Sequence, residues 1–126
     1  MAIFGIGTDL VQVTRIRDLL ARHPRRFPAR ILHAAERAEL AGQGDPAAFL
    51  ARRFAAKEAA AKALGTGIAQ GVRFDDFQVD HHPGGRPRLV CHGRAAELLA
   101  AHAVTACHLS LADDGGYAMA WVIFET

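Results

Sequence analysis

The alanine-rich stretch between Asp45-Pro46 and Gly65-Thr66-Gly67 constrains the fold more than any other part of the chain. Asp45 is suited to an N-cap, and the proline that follows is favoured at the first helical position. Gly65 is suited to a left-handed C-cap. Alanine at positions 55, 56, 59, 60, 61 and 63 favours helix and leaves a thin surface. The sequence therefore predicts one long helix that another backbone, or a ligand, can approach closely.

The same predicted helix contains the only two lysines of the chain, Lys57 and Lys62, because the rest of its 15 lysines and arginines are arginine. Lysine is a compact charge on a flexible stem, suited to reaching a phosphate oxygen or a leaving group. Two interpretations are open at this point. Either the segment has a chemical requirement for lysine, or a compositional preference for arginine left these two by chance.

Before this helix, the apolar run at 3–13 predicts a buried strand that leads into a loop, with Asp9 where the strand ends or bends. Thr14 is predicted to cap a helix that continues to about residue 23. Pro24 and Pro28 are expected to break the chain, and a short helix is predicted at about 34–40.

After the helix, alternating apolar residues predict strands at 72–80 and 87–92, a helix at about 94–102, and strands at 108–112 and 117–124. Asp113-Asp114-Gly115-Gly116 is predicted to form the last hairpin turn. The order β-α-α-α-β-β-α-β-β predicts one α+β domain over residues 1–126, with a mainly antiparallel sheet packed with helices.

Composition excludes several classes of protein. An apolar content of 51% with 22% charged residues is typical of a folded chain rather than a disordered one. The net charge of +2 and the 7% aromatic content disfavour an RNA-binding module built on the arginine-rich first helix, and no nucleic-acid partner is predicted. No apolar run is long enough for a membrane helix and no signal-peptide pattern is present, so we expect a cytoplasmic protein without a membrane partner.

Glu58 and Lys62 are the first candidates for chemistry, because they lie one helical turn apart on one face. The alternative is an ordinary surface ion pair that contributes about 0.3 kcal/mol. Asp9 supplies a second carboxylate, and two carboxylates together with water and phosphate oxygens suit Mg²⁺. Such a set fits phosphoryl or phosphodiester transfer. Neither a P-loop nor a full dinucleotide fingerprint occurs in the sequence.

Three blocks of sequence carry a resemblance: IFGIGTDLV at 3–11, RRFAAKEAAAKALGTG at 52–67 and HLSLAD at 108–113. The chain resembles the holo-(acyl-carrier-protein) synthases, the small bacterial members of the 4′-phosphopantetheinyl transferase superfamily. The middle block is specific, since Lys-Glu-Ala-x-x-Lys followed by Gly-Thr-Gly is the family signature. The resemblance implies the 4′-phosphopantetheinyl transferase-like fold.

The resemblance also implies an activity. The family transfers the phosphopantetheine arm of coenzyme A to a serine of apo acyl carrier protein, releases adenosine 3′,5′-bisphosphate, requires Mg²⁺ and supports fatty acid biosynthesis. On this resemblance Asp9 and Glu58 hold the metal. Glu58, directly or through a metal-bound water, takes the serine proton. Lys62 neutralises the pyrophosphate and assists the leaving phosphate.

Binding residues follow from the same resemblance. The nucleotide and its phosphates are expected to contact Arg53, Lys57, Lys62, Gly65, Thr66 and Gly67. The acidic carrier is expected to contact Arg15, Arg22 and Arg25, although a merely solvated charged face is the alternative. Family members form homotrimers with active sites between subunits. Asp113 departs from the family pattern, because many relatives carry histidine there. The competing hypothesis is a non-enzymatic oligomer that binds coenzyme A or another nucleotide.

Overall fold

The structure is a computed structural model that describes all residues from Met1 to Thr126. Its elements are β1 (Ile3–Gln12), α1 (Val13–Arg22), α2 (Arg26–Ile31), α3 (Ala34–Leu40), α4 (Pro46–Leu64), a 3₁₀ turn (Phe74–Asp76), β2 (Phe77–His81), β3 (Pro87–Cys91), α5 (Gly93–Ala101), β4 (Ala106–Asp114) and β5 (Tyr117–Glu125). The predicted α+β class with antiparallel strands is confirmed. The observed order differs from the predicted one by the additional helix α2.

Helix α4 lies at the centre of the molecule. The Asp45 side chain accepts a hydrogen bond of 3.2 Å from the Ala48 amide at its start, and Gly65 ends it with a φ of 90°. Both caps are as predicted. Most of the helix is buried, and its surface is apolar nearly all round, which is typical of a helix enclosed by other elements. Glu58 and Lys62 are among its few residues that reach solvent.

Two antiparallel sheets pack around α4. One has three strands in the order β1-β5-β4, and the other is the β2-β3 hairpin. The turn between β4 and β5 consists of Gly115 and Gly116, whose φ values of 57° and 82° suit the two-residue turn that matches strand twist. The inward residues of β5 include Ala118, Ala120 and Val122, all fully buried, and their small size lets α4 lie close to the sheet.

Strand β1 makes the closest approach to α4. A Cβ atom on Gly5 would lie 1.8 Å from the Ala63 carbonyl oxygen, and one on Gly7 would lie 2.0 Å from that of Ala59. The prediction that the strand leads into a loop, with Asp9 at its end or bend, is wrong, because α1 follows β1 directly. The two glycines are there because β1 contacts the helix backbone, and the strand continues to Gln12 with Asp9 paired opposite Ala120.

The region between α1 and α3 also corrects the sequence prediction. Helix α1 begins at Val13, with Gln12 at the N-cap and no side-chain cap, so Thr14 is not the capping residue. Pro24 precedes α2, but Pro28 lies inside it as the third helical residue. Its missing N–H removes no hydrogen bond there, because the first N–H groups of a helix have no partner within the helix.

The outer face of the three-stranded sheet is apolar and uncovered. Ile6 is 57% exposed, Leu10 60% and Trp121 44%. Ile6 is paired opposite Ile123, and Leu10 opposite Met119, which extends the apolar surface across β5. We call this surface the outer sheet face. No helix of the structure has both the length and the apolar character needed to cross a membrane.

Candidate active site

Asp9, Glu58 and Lys62 come together where β1 crosses α4. Lys62 Nζ donates to Asp9 Oδ1 at 3.1 Å and to the Thr8 carbonyl oxygen at 3.0 Å. Asp9 points toward the helix because it shares the inward face of β1 with Gly7, whose contact with α4 brings the strand this close. The three side chains predicted from the sequence as the reacting group are therefore neighbours.

Burial raises the pKa of Glu58, and the Asp9 carboxylate raises it further, while Lys62 and Arg15 lower that pKa in part. Asp9 and Glu58 thus face each other as like charges that only cations can balance. Mg²⁺ is typically bound by one or two carboxylates together with waters and substrate phosphates. The two oxygen-donor side chains and their mutual repulsion fit such an ion.

A groove of about 690 Å³ opens beside Glu58. It runs between α1, α2 and the 3₁₀ turn, and we call it the basic groove because its lining includes Arg15, Arg26, Arg30 and Arg73. Acidic side chains other than Glu58 do not line it. An anionic surface that enters this groove therefore meets four guanidinium groups on its way to Glu58.

The floor of the basic groove is aromatic. The rings of Phe54 and Phe74 stack with their centroids 5.4 Å apart. The guanidinium of Arg15 lies 5.6 Å from the centre of the Phe54 ring, and that of Arg30 lies 5.7 Å from the centre of the Phe74 ring. These contacts hold two of the four arginines in place before any ligand arrives.

Only one of the three arginines predicted to contact a partner lines this groove. Arg15 lies beside Glu58, whereas Arg22 and Arg25 are exposed outside the groove lining. The sequence does not predict that Arg26 and Arg30 share a surface, because residues four apart lie on one face only in a helix and α2 is not predicted. Arg73 also lines the groove, and no sequence pattern points to it.

Lys57 and Arg53, which the resemblance predicts to contact the nucleotide, are both buried in the structure. Lys57 is fully buried and donates to Glu36 Oε1 at 2.5 Å and to the Ile31 carbonyl oxygen at 2.7 Å. Arg53 is buried too and donates to Glu36 Oε2 at 3.1 Å and to the Val79 carbonyl oxygen at 2.7 Å. Both cations are therefore paired inside the chain, on sides of α4 that other elements enclose. Their contact with a nucleotide stays a prediction.

The Gly65-Thr66-Gly67 loop offers fewer anion donors than its sequence suggests. The amides of Gly65 and Gly67 both donate to the Ala61 carbonyl oxygen, and the Thr66 hydroxyl donates to the Gly67 carbonyl oxygen at 2.7 Å. The two glycine amides therefore close the end of α4. Nucleotide contacts by this loop remain a prediction. Asp113 lies 3.5 Å from the Arg52 guanidinium.

Comparison with known proteins agrees with these features. The model of the 4′-phosphopantetheinyl transferase superfamily matches residues 5–122. A holo-(acyl-carrier-protein) synthase of Alkalilimnicola ehrlichii is 55% identical, with 98% of each chain covered. The crystal structure of a holo-(acyl-carrier-protein) synthase from Neisseria meningitidis superposes with a TM-score of 0.92 at 38% identity, covering 99% of this chain and 100% of that one.

A third relative was crystallised with a ligand. The holo-(acyl-carrier-protein) synthase of Bacillus anthracis, in complex with CoA (3′,5′-ADP), superposes with a TM-score of 0.82 at 35% identity, covering 98% of this chain and 97% of that one. Family model, relatives and fold agree over nearly the whole length. The chain therefore belongs to the 4′-phosphopantetheinyl transferase superfamily and, within it, to the holo-(acyl-carrier-protein) synthases, which are phosphopantetheinyl transferases.

Proposed function

We propose that this enzyme transfers the 4′-phosphopantetheine group of coenzyme A to a serine of apo acyl carrier protein, in a Mg²⁺-dependent reaction that supports fatty acid biosynthesis. The observation that carries the proposal is the grouping of Asp9, Glu58 and Lys62 beside the basic groove, which Glu58 lines. The names of the relatives and the coenzyme A complex of one of them support the choice of substrates.

In the proposed reaction the serine oxygen of the carrier bonds to the phosphorus that carries pantetheine. The bond from that phosphorus to the bridging oxygen breaks, and adenosine 3′,5′-bisphosphate leaves with the electron pair. Glu58 accepts the serine proton, a task for which its raised pKa is suited. Lys62 lies beside Asp9 and is half exposed, so its ammonium is free to face the leaving phosphate.

The metal fits this arrangement. Asp9 and Glu58 would hold Mg²⁺, which when bound would supply positive charge to the pyrophosphate as a Lewis acid. The chain contributes two carboxylates, and burial raises the pKa of one of them, Glu58. The hydrogen bond of 3.1 Å from Lys62 Nζ to Asp9 Oδ1 orients the Asp9 carboxylate.

The carrier is proposed to dock along the basic groove. Acyl carrier proteins are acidic, and four arginines that line one groove are complementary to such a surface. The aromatic floor formed by Phe54 and Phe74 offers apolar contact within the charged rim. A serine presented from this direction reaches Glu58 first, because Glu58 is the only carboxylate in the groove lining.

We also propose a homotrimer with active sites between subunits. Its support within one chain is the outer sheet face, where Ile6, Leu10 and Trp121 expose apolar surface of the kind that interfaces cover.

The test of the activity is mass spectrometry of an apo carrier protein incubated with coenzyme A, Mg²⁺ and the enzyme. We expect the carrier to gain the mass of one phosphopantetheine, and EDTA to prevent the gain. A carrier whose reactive serine is replaced by alanine is the matched control. Failure to modify any of several fatty-acid and polyketide carriers would reject the proposal in favour of a nucleotide-binding protein.

A further inference from the structure

A buried cluster of charges joins the two walls of the basic groove, and the proposed reaction does not use it. Its centre is Glu36 on α3, which is fully buried. The Glu36 carboxylate accepts four hydrogen bonds, from Lys57 Nζ, from Arg53 and from the amides of His33 and Val79. We call this set the Glu36 cluster.

Such a cluster is poorly explained as a device for stability. Removing charges from water costs several kcal/mol per ion, and replacing a buried ion pair by apolar side chains is often neutral or stabilising. Every polar atom in this one is satisfied, since no buried side-chain nitrogen or oxygen lacks a partner. What a fully bonded buried pair does provide is a fixed geometry, because each alternative placement leaves a charge unpaired.

Lys57 connects the Glu36 cluster to α2. Its ammonium donates to the carbonyl oxygen of Ile31, the last residue of α2, at 2.7 Å. Carbonyls in the last turn of a helix have no partner within the helix, and a cation there is favourable. Because α2 has only six residues, it has little stability of its own, and its position depends on contacts such as this one.

The two ends of this link belong to opposite walls of the groove. Arg26, Phe27 and Arg30 on α2 form one wall. Glu58, the chain neighbour of Lys57, and Phe54, one turn before it, belong to the other. The distance between the arginines of α2 and the Glu58 carboxylate is therefore set through Lys57 and the carboxylate that holds it.

We infer that Glu36 and Lys57 are positioning residues, which fix the α2 wall of the basic groove relative to Glu58 and thereby set the affinity for the acidic carrier protein. The inference rests on the proposed docking of the carrier in this groove. Neither residue touches the reacting atoms. Their effect should appear in the KM for the carrier, because Asp9 and Lys62, which are proposed to meet the pyrophosphate of coenzyme A, do not line the basic groove.

Lys57→Met tests this directly, because methionine fills a similar space and removes the positive charge together with the bonds to Ile31 and Glu36. We expect the KM for apo carrier to rise about tenfold or more, since an ångström-scale misplacement is enough for such losses. The KM for coenzyme A should change less than about twofold. The substitution should accelerate amide hydrogen exchange in α2 more than it does in α5. Glu36→Gln, which keeps the side-chain shape, should shift the same three measurements in the same directions.

Leu99→Ala is the matched control, because Leu99 is buried on α5 and lines neither wall of the groove. It should lower the melting temperature and leave the KM for the carrier unchanged. An unchanged carrier KM in Lys57→Met, or an equal rise in Leu99→Ala at the same loss of melting temperature, overturns the inference. If Lys57→Met does not fold, Glu36→Gln decides by the same criteria. Transfer by the wild type alongside an unaffected Lys57→Met would leave the proposed function intact.

Discussion

The two lysines show how much one residue depends on its setting. Lys57 and Lys62 lie five positions apart on α4, yet the first is fully buried against Glu36 and the second is 51% exposed beside Asp9. Burial lowers the pKa of Lys57, and the Glu36 carboxylate opposes that change. The shared residue type therefore hides two tasks, one structural and one proposed for the reaction.

Replacing Lys62 by alanine should reduce turnover sharply. The substitution removes the only ammonium beside Asp9, and loss of one group that stabilises developing charge lowers kcat by about 100-fold or more. Lys62→Arg keeps the charge and should retain part of the rate. Steady-state transfer assays measure kcat, and circular dichroism checks the fold. A kcat for Lys62→Ala within about threefold of wild type would remove Lys62 from the mechanism.

Glu58→Gln should separate turnover from stability. The folded-state pKa of Glu58 is raised above its ordinary value of 4.5, so its protonated form is favoured by folding. Stability from this group is present below pH 4.5 and is lost as pH rises through the raised pKa. Without added metal, Glu58→Gln should therefore melt at a higher temperature than wild type at pH 7, and at about the same temperature at pH 4.

Turnover should be lost in the same variant, because glutamine accepts no proton. Glu97→Gln, an exposed substitution on α5, is the control and should change neither property. If Glu58→Gln melts below wild type at pH 7, ionised Glu58 stabilises the folded state instead of destabilising it, and the prediction is wrong.

At the scale of elements, the contact between β1 and α4 delivers Asp9 to the site. Gly7→Ala should destabilise the protein by about 1–3 kcal/mol, the usual range for overpacking, because the added carbon would lie 2.0 Å from the Ala59 carbonyl oxygen. Urea unfolding measures the loss. Gly84→Ala is the matched control, since nothing lies within 4 Å of its added carbon. Equal midpoints for the two variants would contradict the close approach.

Helices α4 and α2 show which features a sequence can predict and which it cannot. The limits of α4 were predicted because Asp45-Pro46 and Gly65 are local signals that act within one turn. The burial of Lys57 was not, because α4 is apolar nearly all round and gives no amphipathic pattern from which to judge which positions face solvent. The sequence does not predict α2, because proline usually breaks a helix, although it is compatible with a first turn such as the one that holds Pro28.

At the scale of the whole molecule, net charge concealed the candidate partner surface. The chain carries only +2, yet four of its arginines line one groove that contains a single carboxylate. Composition sums charges over the surface, whereas a partner meets them locally. Residue chemistry and the family resemblance predicted the grouping of Asp9, Glu58 and Lys62. Spacing could not, because no spacing rule brings together residues about fifty positions apart.

The last prediction concerns assembly. Ile6, Leu10 and Trp121 leave the outer sheet face apolar, and a single chain has no further element to cover it. Light scattering coupled to gel filtration should give wild type three times the mass of one chain. Leu10→Asp should place a charge in the interface and give a monomer with an unchanged far-ultraviolet circular dichroism spectrum.

If the active sites lie between subunits, the Leu10→Asp monomer should also lose transfer activity, although Leu10 lies on the opposite face of β1 from Asp9. Ala38→Asp on α3, exposed and away from the outer sheet face, should keep both the trimer and the activity. A monomeric wild type with full activity would show that one chain holds a complete site. A Leu10→Asp trimer would show instead that copies associate through another surface, and the apolar residues of β1 and β5 would then need a different partner.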